Sequence, residues 1–137
     1  MKYLLDTDTC SYIVKNNSDV IRRRFYKIKA GEIAISSVTW AELHSWVGLS
    51  SSPDKRLFSL QKMFAPVAIL SFTAADASFH GQIRNRLKGK GLLIGALDML
   101  IAAHAVSQNL TVVTNNVEHF GRVAGLKVEN WLTSQLL

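Results

Sequence analysis

The sequence predicts an α/β domain in which a central parallel sheet of about five short strands is covered by helices on both faces. Three observations predict it. Short apolar runs alternate with longer stretches of helical periodicity along the whole chain, the rhythm of repeated βαβ units. The runs Tyr-Leu-Leu, Ile-Ala-Ile, Val-Ala-Ile-Leu and Thr-Val-Val are almost continuously apolar instead of alternating, as strands buried on both faces are. The stretches between them carry their own start and stop signals. With 137 residues the chain can bury a real core, and we expect one domain over residues 1–137.

Residues 2–5 give the first strand, and a helical stretch runs from about Thr9 to Lys15, where Asn16 and Asn17 end it. Ser18 caps a second helix with Asp19 in its first turn. Ile21, Phe25 and Ile28 recur at i, i+4 and i+7 as its core face, which leaves the arginines between them facing outward. Residues 33–35 give the second strand. Ser37 caps the helix carrying Trp40, Glu42, Leu43, Trp46 and Val47, and Leu-Ser-Ser-Ser-Pro ends it. Pro53 suits the first turn of another helix, to about Phe64, because the N–H it lacks would be unpaired there. Residues 67–70 give the third strand, and Thr73 with Asp76 three residues on has the pattern of a capping box. Ala75, Phe79, Ile83 and Leu87 form the core stripe of that helix, while Asp76, His80, Arg84 and Lys88 repeat every four residues, as an exposed polar face would. Gly89, Gly91 and Gly95 mark a loop. Residues 97–108 make a helix apolar on nearly every side, hence central. Residues 111–114 give the fourth strand and residues 126–128 a short fifth. There is no internal repeat and no low-complexity segment.

Apolar residues make up 48% of the chain, yet no run approaches the ~20 residues of a membrane span. We therefore expect no membrane association. The chain opens without the basic segment and long apolar run of a secretory signal. Cys10 is the only cysteine, which excludes an internal disulfide and a cysteine-rich zinc site and fits a reducing cytoplasm. Sixteen Lys and Arg against ten Asp and Glu give a formal net charge of +6, which favours encounter with polyanions such as nucleic acid. Arg22, Arg23 and Arg24, and Arg84, Arg86 and Lys88, are the clustered candidates for phosphate contact. Such runs are also what a solvated helix face shows.

Asp6, Glu42 and Asp98 each interrupt an apolar context where a strand hands over to a helix, and Asn116 follows the fourth strand in the same way. In open α/β sheets these handover points gather outside the carboxyl ends of the strands, where ligands bind. Glu42 has Val38 and Trp46 one turn either side, and Asp98 shares its face with Ile101, Ala102 and Ala105, so neither lies on a solvent stripe. Carboxylates packed together raise one another's pKa unless a cation opposes them. All-oxygen ligands select Mg²⁺ or Mn²⁺, ions that keep several waters and also bind a phosphate oxygen. That is the equipment for phosphodiester hydrolysis. Simpler roles exist: Asp98 as an acid favoured by the helix dipole, Asp6 or more readily Asp8 as a helix cap, Asn115 and Asn116 as turn residues. A helical Glu between Val and Trp has no such common role. The four histidines show no metal-ligand spacing, and Cys10 reads as a buried small hydrophobe.

The ordered set LLDTDTCSYIVK, ISSVTWAEL, GQIRNRLKGKG, IGALDMLIAAHA and VVTNNVEHFGRVAGLKVENW resembles the PIN-domain ribonucleases, in particular the VapC-type toxins of bacterial toxin-antitoxin pairs. It covers nearly the whole chain. The resemblance implies a Mg²⁺-dependent endoribonuclease with Asp6, Glu42 and Asp98 as catalytic, metal-holding acids. Asn116 stands where many members place an Asp, and His119 where others have an acid before the phenylalanine. An Asn still holds a metal-bound water, so Asn116 stays in the catalytic set, with Asp8, Thr114 and His119 as supporting groups or ligands of a second ion. The resemblance also implies a VapB-type antitoxin that blocks the site, a toxin homodimer, and operator DNA bound only through the antitoxin. Its implied substrate is structured RNA, notably tRNA, including initiator tRNA, cut in the anticodon loop.

Two other readings compete. Asp6-Thr-Asp8 after an apolar strand also resembles the opening of haloacid-dehalogenase-like phosphatases, with Asp6 as nucleophile and Asp8 as acid/base. Only Glu118 and Glu129 follow Asp98 as acids, which is thin support for that chemistry. Asn116 also motivates a nucleic-acid- or antitoxin-binding module without catalysis. Trp40, Trp46, Met63 and Phe64 are candidates for an apolar groove that takes the antitoxin, or for core.

Overall fold

The computed structural model describes residues 1–132. Five parallel strands run in the order β3-β2-β1-β4-β5: β1 (Tyr3–Leu5), β2 (Ile33–Ser36), β3 (Ala68–Leu70), β4 (Thr111–Val113) and β5 (Lys127–Glu129). Between them lie α1 (Thr7–Val14), α2 (Asp19–Lys27), α3 (Ser37–Gly48), α4 (Pro53–Phe64), α5 (Ala74–Gly89), α6 (Ala96–Gln108) and α7 (Val117–Gly121). The predicted α/β fold with helices on both faces is the observed one.

Alternation along the strands divides the core in two. Tyr3, Leu5, Ile33, Ile35 and Val113 point to the face covered by α1 to α4, against Ile13, Phe25, Leu43 and Phe64. Leu4, Ala34 and Val112 point to the other, against Met99, Ile101 and Ala105 of α6, Leu87 of α5 and Phe120 of α7. Leu4 and Leu5 are both fully buried, which is why β1 shows no polar alternation. Leu5 pairs with Ile35 on one side and Val113 on the other. Asp6, Ser36 and Thr114 therefore emerge level with one another at the carboxyl end of the sheet.

Several boundaries differ from the sequence expectation for identifiable reasons. The first helix starts at Thr7 because Asp6, and not Asp8, caps it, its Oδ1 accepting from the Thr9 N–H at 2.8 Å. Asn16 follows that helix with φ 55°, a conformation Asn tolerates better than most residues. Ser36, one residue earlier than expected, caps α3 by accepting from the Val38 N–H at 3.1 Å. The Ser37 hydroxyl instead accepts from the Phe72 N–H at 3.0 Å and ties α3 to the segment after β3. Ile21 and Phe25 are buried as expected, but Ile28 is only partly so. Arg24 does not face outward: it pairs with Glu129 at 2.8 Å and lies over the Trp131 ring. Among the described residues no helix is long and apolar enough to cross a membrane.

The largest correction is on α5. Its capping box forms, with Thr73 and Asp76 bonding each other's backbones, and further along Leu87 is buried, Ile83 packs on the core and Arg84 and Lys88 are exposed as expected. In the first turn, however, Asp76 is fully buried and Ala75 is exposed, the reverse of the expectation for those two. Asp76 turns inward toward α6 and accepts from Gln108 Nε2 at 3.2 Å. Burial pushes its carboxyl up, but hydrogen bonds from Ser107, the Thr73 backbone, Gln108 and the Thr73 hydroxyl outweigh that and bring it down to about 2. A carboxyl depressed in this way contributes stability above about pH 4 that is lost as pH falls through about 2. Asp76→Ala removes a cap and strands buried donors, so it should cost roughly 1–3 kcal/mol at pH 7. In urea denaturation the gap to wild type should narrow as the pH is lowered from about 4 toward 2.

Candidate active site

The level ends of β1, β2 and β4 bring the following segments together. Asp6 ends β1, Glu42 reaches in from the second turn of α3, Asp98 from the first turn of α6, and Asn116 from the turn after β4. With Thr7, Asp8 and Ser11 of α1 they line one cleft of about 310 Å³. All four residues singled out in the sequence thus meet. Among the described residues no Lys or Arg lines the cleft.

Asp6 is 3% exposed, and burial pushes its carboxyl up to about 6. Hydrogen bonds from the Thr114 hydroxyl, the Thr9 backbone and the Thr9 hydroxyl restrain the rise, and the Asp8 charge adds to it. Burial likewise raises Asp98, followed by the charge of Glu42, with His119 opposing and Asp8 contributing. The acids therefore sense one another across the cleft.

Hydroxyl groups hold this arrangement. Thr7 Oγ1 donates to Glu42 Oε1 at 2.5 Å and lies 3.4 Å from Thr39 Oγ1. Thr9 Oγ1 donates to the Val113 carbonyl at 3.1 Å. Thr114 Oγ1 accepts from the Asn116 N–H at 2.8 Å. Asn116 Nδ2 lies 2.7 Å from His119 Nδ1. Asp8 is exposed at the rim in the first turn of α1, beside the cleft but not its cap.

The donors fit a hard divalent cation: they are all oxygen, and two of the carboxyls are held above their ordinary range, with no Lys or Arg among the described residues lining the cleft and only His119 opposing the rise of Asp98. Among the described residues no three His, Cys, Asp or Glu side chains are grouped so that they hold a metal ion by themselves. That speaks against a structural zinc site and suits an ion that keeps several of its waters.

Thr7, Ser11 and Thr39 are not singled out by the sequence. The i, i+4 spacing of Thr7 and Ser11 beside Asp8 marks a polar stripe on α1 that would have revealed two of them. None of the six basic candidates lines the cleft. Arg22 borders a separate groove of about 680 Å³ between α2 and α4, Arg23 is exposed, and Arg24 is held by Glu129 and Trp131. Arg84, Arg86 and Lys88 are exposed on the last turns of α5, which residues 90–95 connect to the end of α6 that carries Asp98. Of the four candidates for an apolar groove, Phe64 is buried core, Trp40 and Trp46 pack against that core, and Met63 borders the α2–α4 groove.

Residues 3–126 match the family described as PIN domain. The chain belongs to the PIN-domain family. It is 38% identical over 131 residues to the tRNA(fMet)-specific endonuclease VapC of Shigella flexneri, an alignment that spans 96% of this chain and 98% of that relative. The crystal structure of DNA-bound VapBC from Salmonella typhimurium superposes with a TM-score of 0.90 at 37% identity, covering 96% of this chain and 98% of that one. VapBC2 of Rickettsia felis bound to a DNA fragment from its promoter gives 0.88 at 36% identity, covering 96% and 99%. The PIN domain is a nuclease fold whose members generally depend on divalent metal ions. Membership displaces the phosphatase reading of Asp6 and Asp8.

The raised Asp6 carboxyl gives a stability test in the absence of metal. A group protonated more readily in the folded state contributes stability below about pH 4 that is lost as pH rises through about 6. Compared with Asp6→Asn in EDTA, the wild-type PIN domain should lose roughly 3 kcal/mol between pH 4 and pH 7. Millimolar Mg²⁺ should restore most of that above pH 6. A difference between the two proteins that stays constant with pH would refute the buried-carboxyl account.

Proposed function

We propose that this chain is a Mg²⁺-dependent, site-specific endoribonuclease, with Mn²⁺ able to substitute, that acts as the toxin of a type II toxin-antitoxin pair by cleaving tRNA and so arresting translation. The observation that carries it is the convergence of Asp6, Glu42, Asp98 and Asn116 in one cleft that no Lys or Arg among the described residues lines. Similarity to a tRNA(fMet)-specific endonuclease at 38% identity supports tRNA, and within it initiator tRNA; the anticodon loop is the part of it we propose is cut. Similarity to two VapBC complexes bound to DNA supports a VapB-type antitoxin, with operator DNA reached only through it. On this reading the chain works as a single domain over residues 1–137, as a homodimer, in the cytoplasm.

Asp6, Glu42 and Asp98 would hold the ion, and Asn116 would orient a water in the cleft. Bound there, a divalent ion supplies polarisation of the phosphate and a lowered pKa for the attacking water. Thr7 fixes the Glu42 carboxylate, and Thr114 and Thr9 fix that of Asp6. His119, held against Asn116, favours the ionised form of Asp98. Asp8 adds negative charge at the rim. Arg84, Arg86 and Lys88 flank the approach along α5, while Arg24 serves the fold.

The direct test incubates purified initiator tRNA with the antitoxin-free protein in Mg²⁺, in EDTA, and as Asp98→Asn. Discrete fragments should form only with wild type and metal, and Asp98→Asn should lower the rate on the order of a hundredfold to a thousandfold, the cost of removing one preorganised electrostatic group. Its melting temperature should change little. Cleavage unaffected by EDTA and by Asp98→Asn would contradict the reading. Replacing Arg84, Arg86 and Lys88 by Gln should weaken RNA binding and flatten the slope of log K against log salt by about 0.7 for each phosphate left without its cation. Arg24→Gln should reduce stability and leave that slope unchanged.

A further inference from the structure

Away from the cleft lies a chain of buried polar groups that the proposed chemistry does not use. His104 is fully buried on α6, among Ile101, Ala102, Ala103 and Ala105, where an apolar residue would cost nothing in desolvation. Its Nδ1 lies 2.8 Å from Ser36 Oγ. Ser36 Oγ already accepts from the Val38 N–H, so its one hydrogen is free to go to Nδ1. The His104 proton then sits on Nε2, facing Asp76 Oδ2 at 3.6 Å. Among the described residues Nε2 has no closer hydrogen-bonding partner. Asp76 is itself fixed by Thr73 and Gln108, and the Phe72 ring packs edge-on against the imidazole. Burial holds the ring below its ordinary range, toward the neutral form this pattern requires.

The chain joins the starts of α3 and α5 to the middle of α6. Ser36 and Glu42 are six residues apart, and so are Asp98 and His104. One helix leaves the tie and the other arrives at it, so both carboxylates stand about 9 Å along their helices from the same point. A slip between α3 and α6 at the tie reaches the cleft undiminished. Resting on the nuclease reading above, we propose that His104 is a positioning residue: through Ser36 it fixes the start of α3 against α6 and thereby sets the separation of Glu42 and Asp98 that the divalent ion requires.

Two variants separate the ends of the imidazole. Asn at 104 places its carbonyl oxygen near Nδ1 and keeps an acceptor for Ser36, whereas Gln places its amide nitrogen near Nε2 and keeps the donor toward Asp76. His104→Gln should weaken Mn²⁺ binding, measured calorimetrically without RNA, by about tenfold or more, as loss of a group supporting metal ligands does. It should also lower kcat for tRNA cleavage with little change in KM. His104→Asn should stay within about twofold of wild type on each measure, although both variants lose thermal stability. Equal effects of Gln and Asn on Mn²⁺ affinity, or no effect of either, would overturn the proposal, since a purely structural role moves only the melting temperature. Should His104→Gln fail to fold, Ser36→Ala against Ser36→Thr puts the same question, with the Thr hydroxyl expected to rescue metal binding and failure of rescue counting against the tie. A Gln/Asn split in Mn²⁺ affinity in a protein that cleaves no RNA would sink the nuclease reading and leave the tie standing. Cleavage without the split would do the reverse.

Discussion

Asp6 ends the central strand of the sheet, flanked by two strands that stop level with it, and its carboxyl has nowhere to go but the mouth of the fold. It is buried at 3% exposure, yet among the described residues no Lys or Arg lines the cleft it faces. A carboxylate in that position is expensive to ionise alone, which is why its pKa rises to about 6. At neutral pH it is poised between a proton and a cation. The sheet register places the acid, and with no Lys or Arg among the described residues lining the cleft the role of counter-charge falls to something that binds.

Hydroxyl groups do the positioning that charged groups would do in a salt-bridged core. Thr7 holds Glu42, Thr9 and Thr114 hold Asp6, and Ser36 links α3 to His104. A hydroxyl orients a carboxylate without neutralising it, so the negative potential of the cleft is preserved for an ion. A lysine in the place of Thr7 would satisfy Glu42 and remove the site. The excess of positive charge lies elsewhere, part of it on the exposed end of α5.

Much of this is legible in the sequence because acids in apolar surroundings break a pattern. Asp6, Glu42, Asp98 and Asn116 stand out for that reason, and four strands lie where continuous apolar runs stand, the fifth one residue further on. The burial of Asp76 is not legible, because its four-residue spacing with His80, Arg84 and Lys88 is that of a solvated face, and periodicity on one helix does not show that a neighbouring helix turns one member inward. Arg24 misleads for a similar reason: its partner Glu129 lies 105 residues away in sequence. The choice between Ser36 and Ser37 as a cap is beyond any pattern when two serines adjoin. Thr7 and Ser11 escape notice because hydroxyl residues are compatible with almost any role on a helix. Substrate and partner come from family likeness, since charge and periodicity carry no information about which RNA is bound.

The measurement closest to the central claim is proton release on binding of Mn²⁺ to the antitoxin-free protein, by calorimetry in two buffers of different ionisation enthalpy. At pH 6 Asp6 is about half protonated, so binding should expel at least about half a proton from wild type, less from Asp6→Asn, and progressively less from wild type as pH approaches 8. Release at pH 6 that is absent, or identical in wild type and Asp6→Asn, would contradict the claim that a buried carboxyl at the end of the central strand waits for a cation.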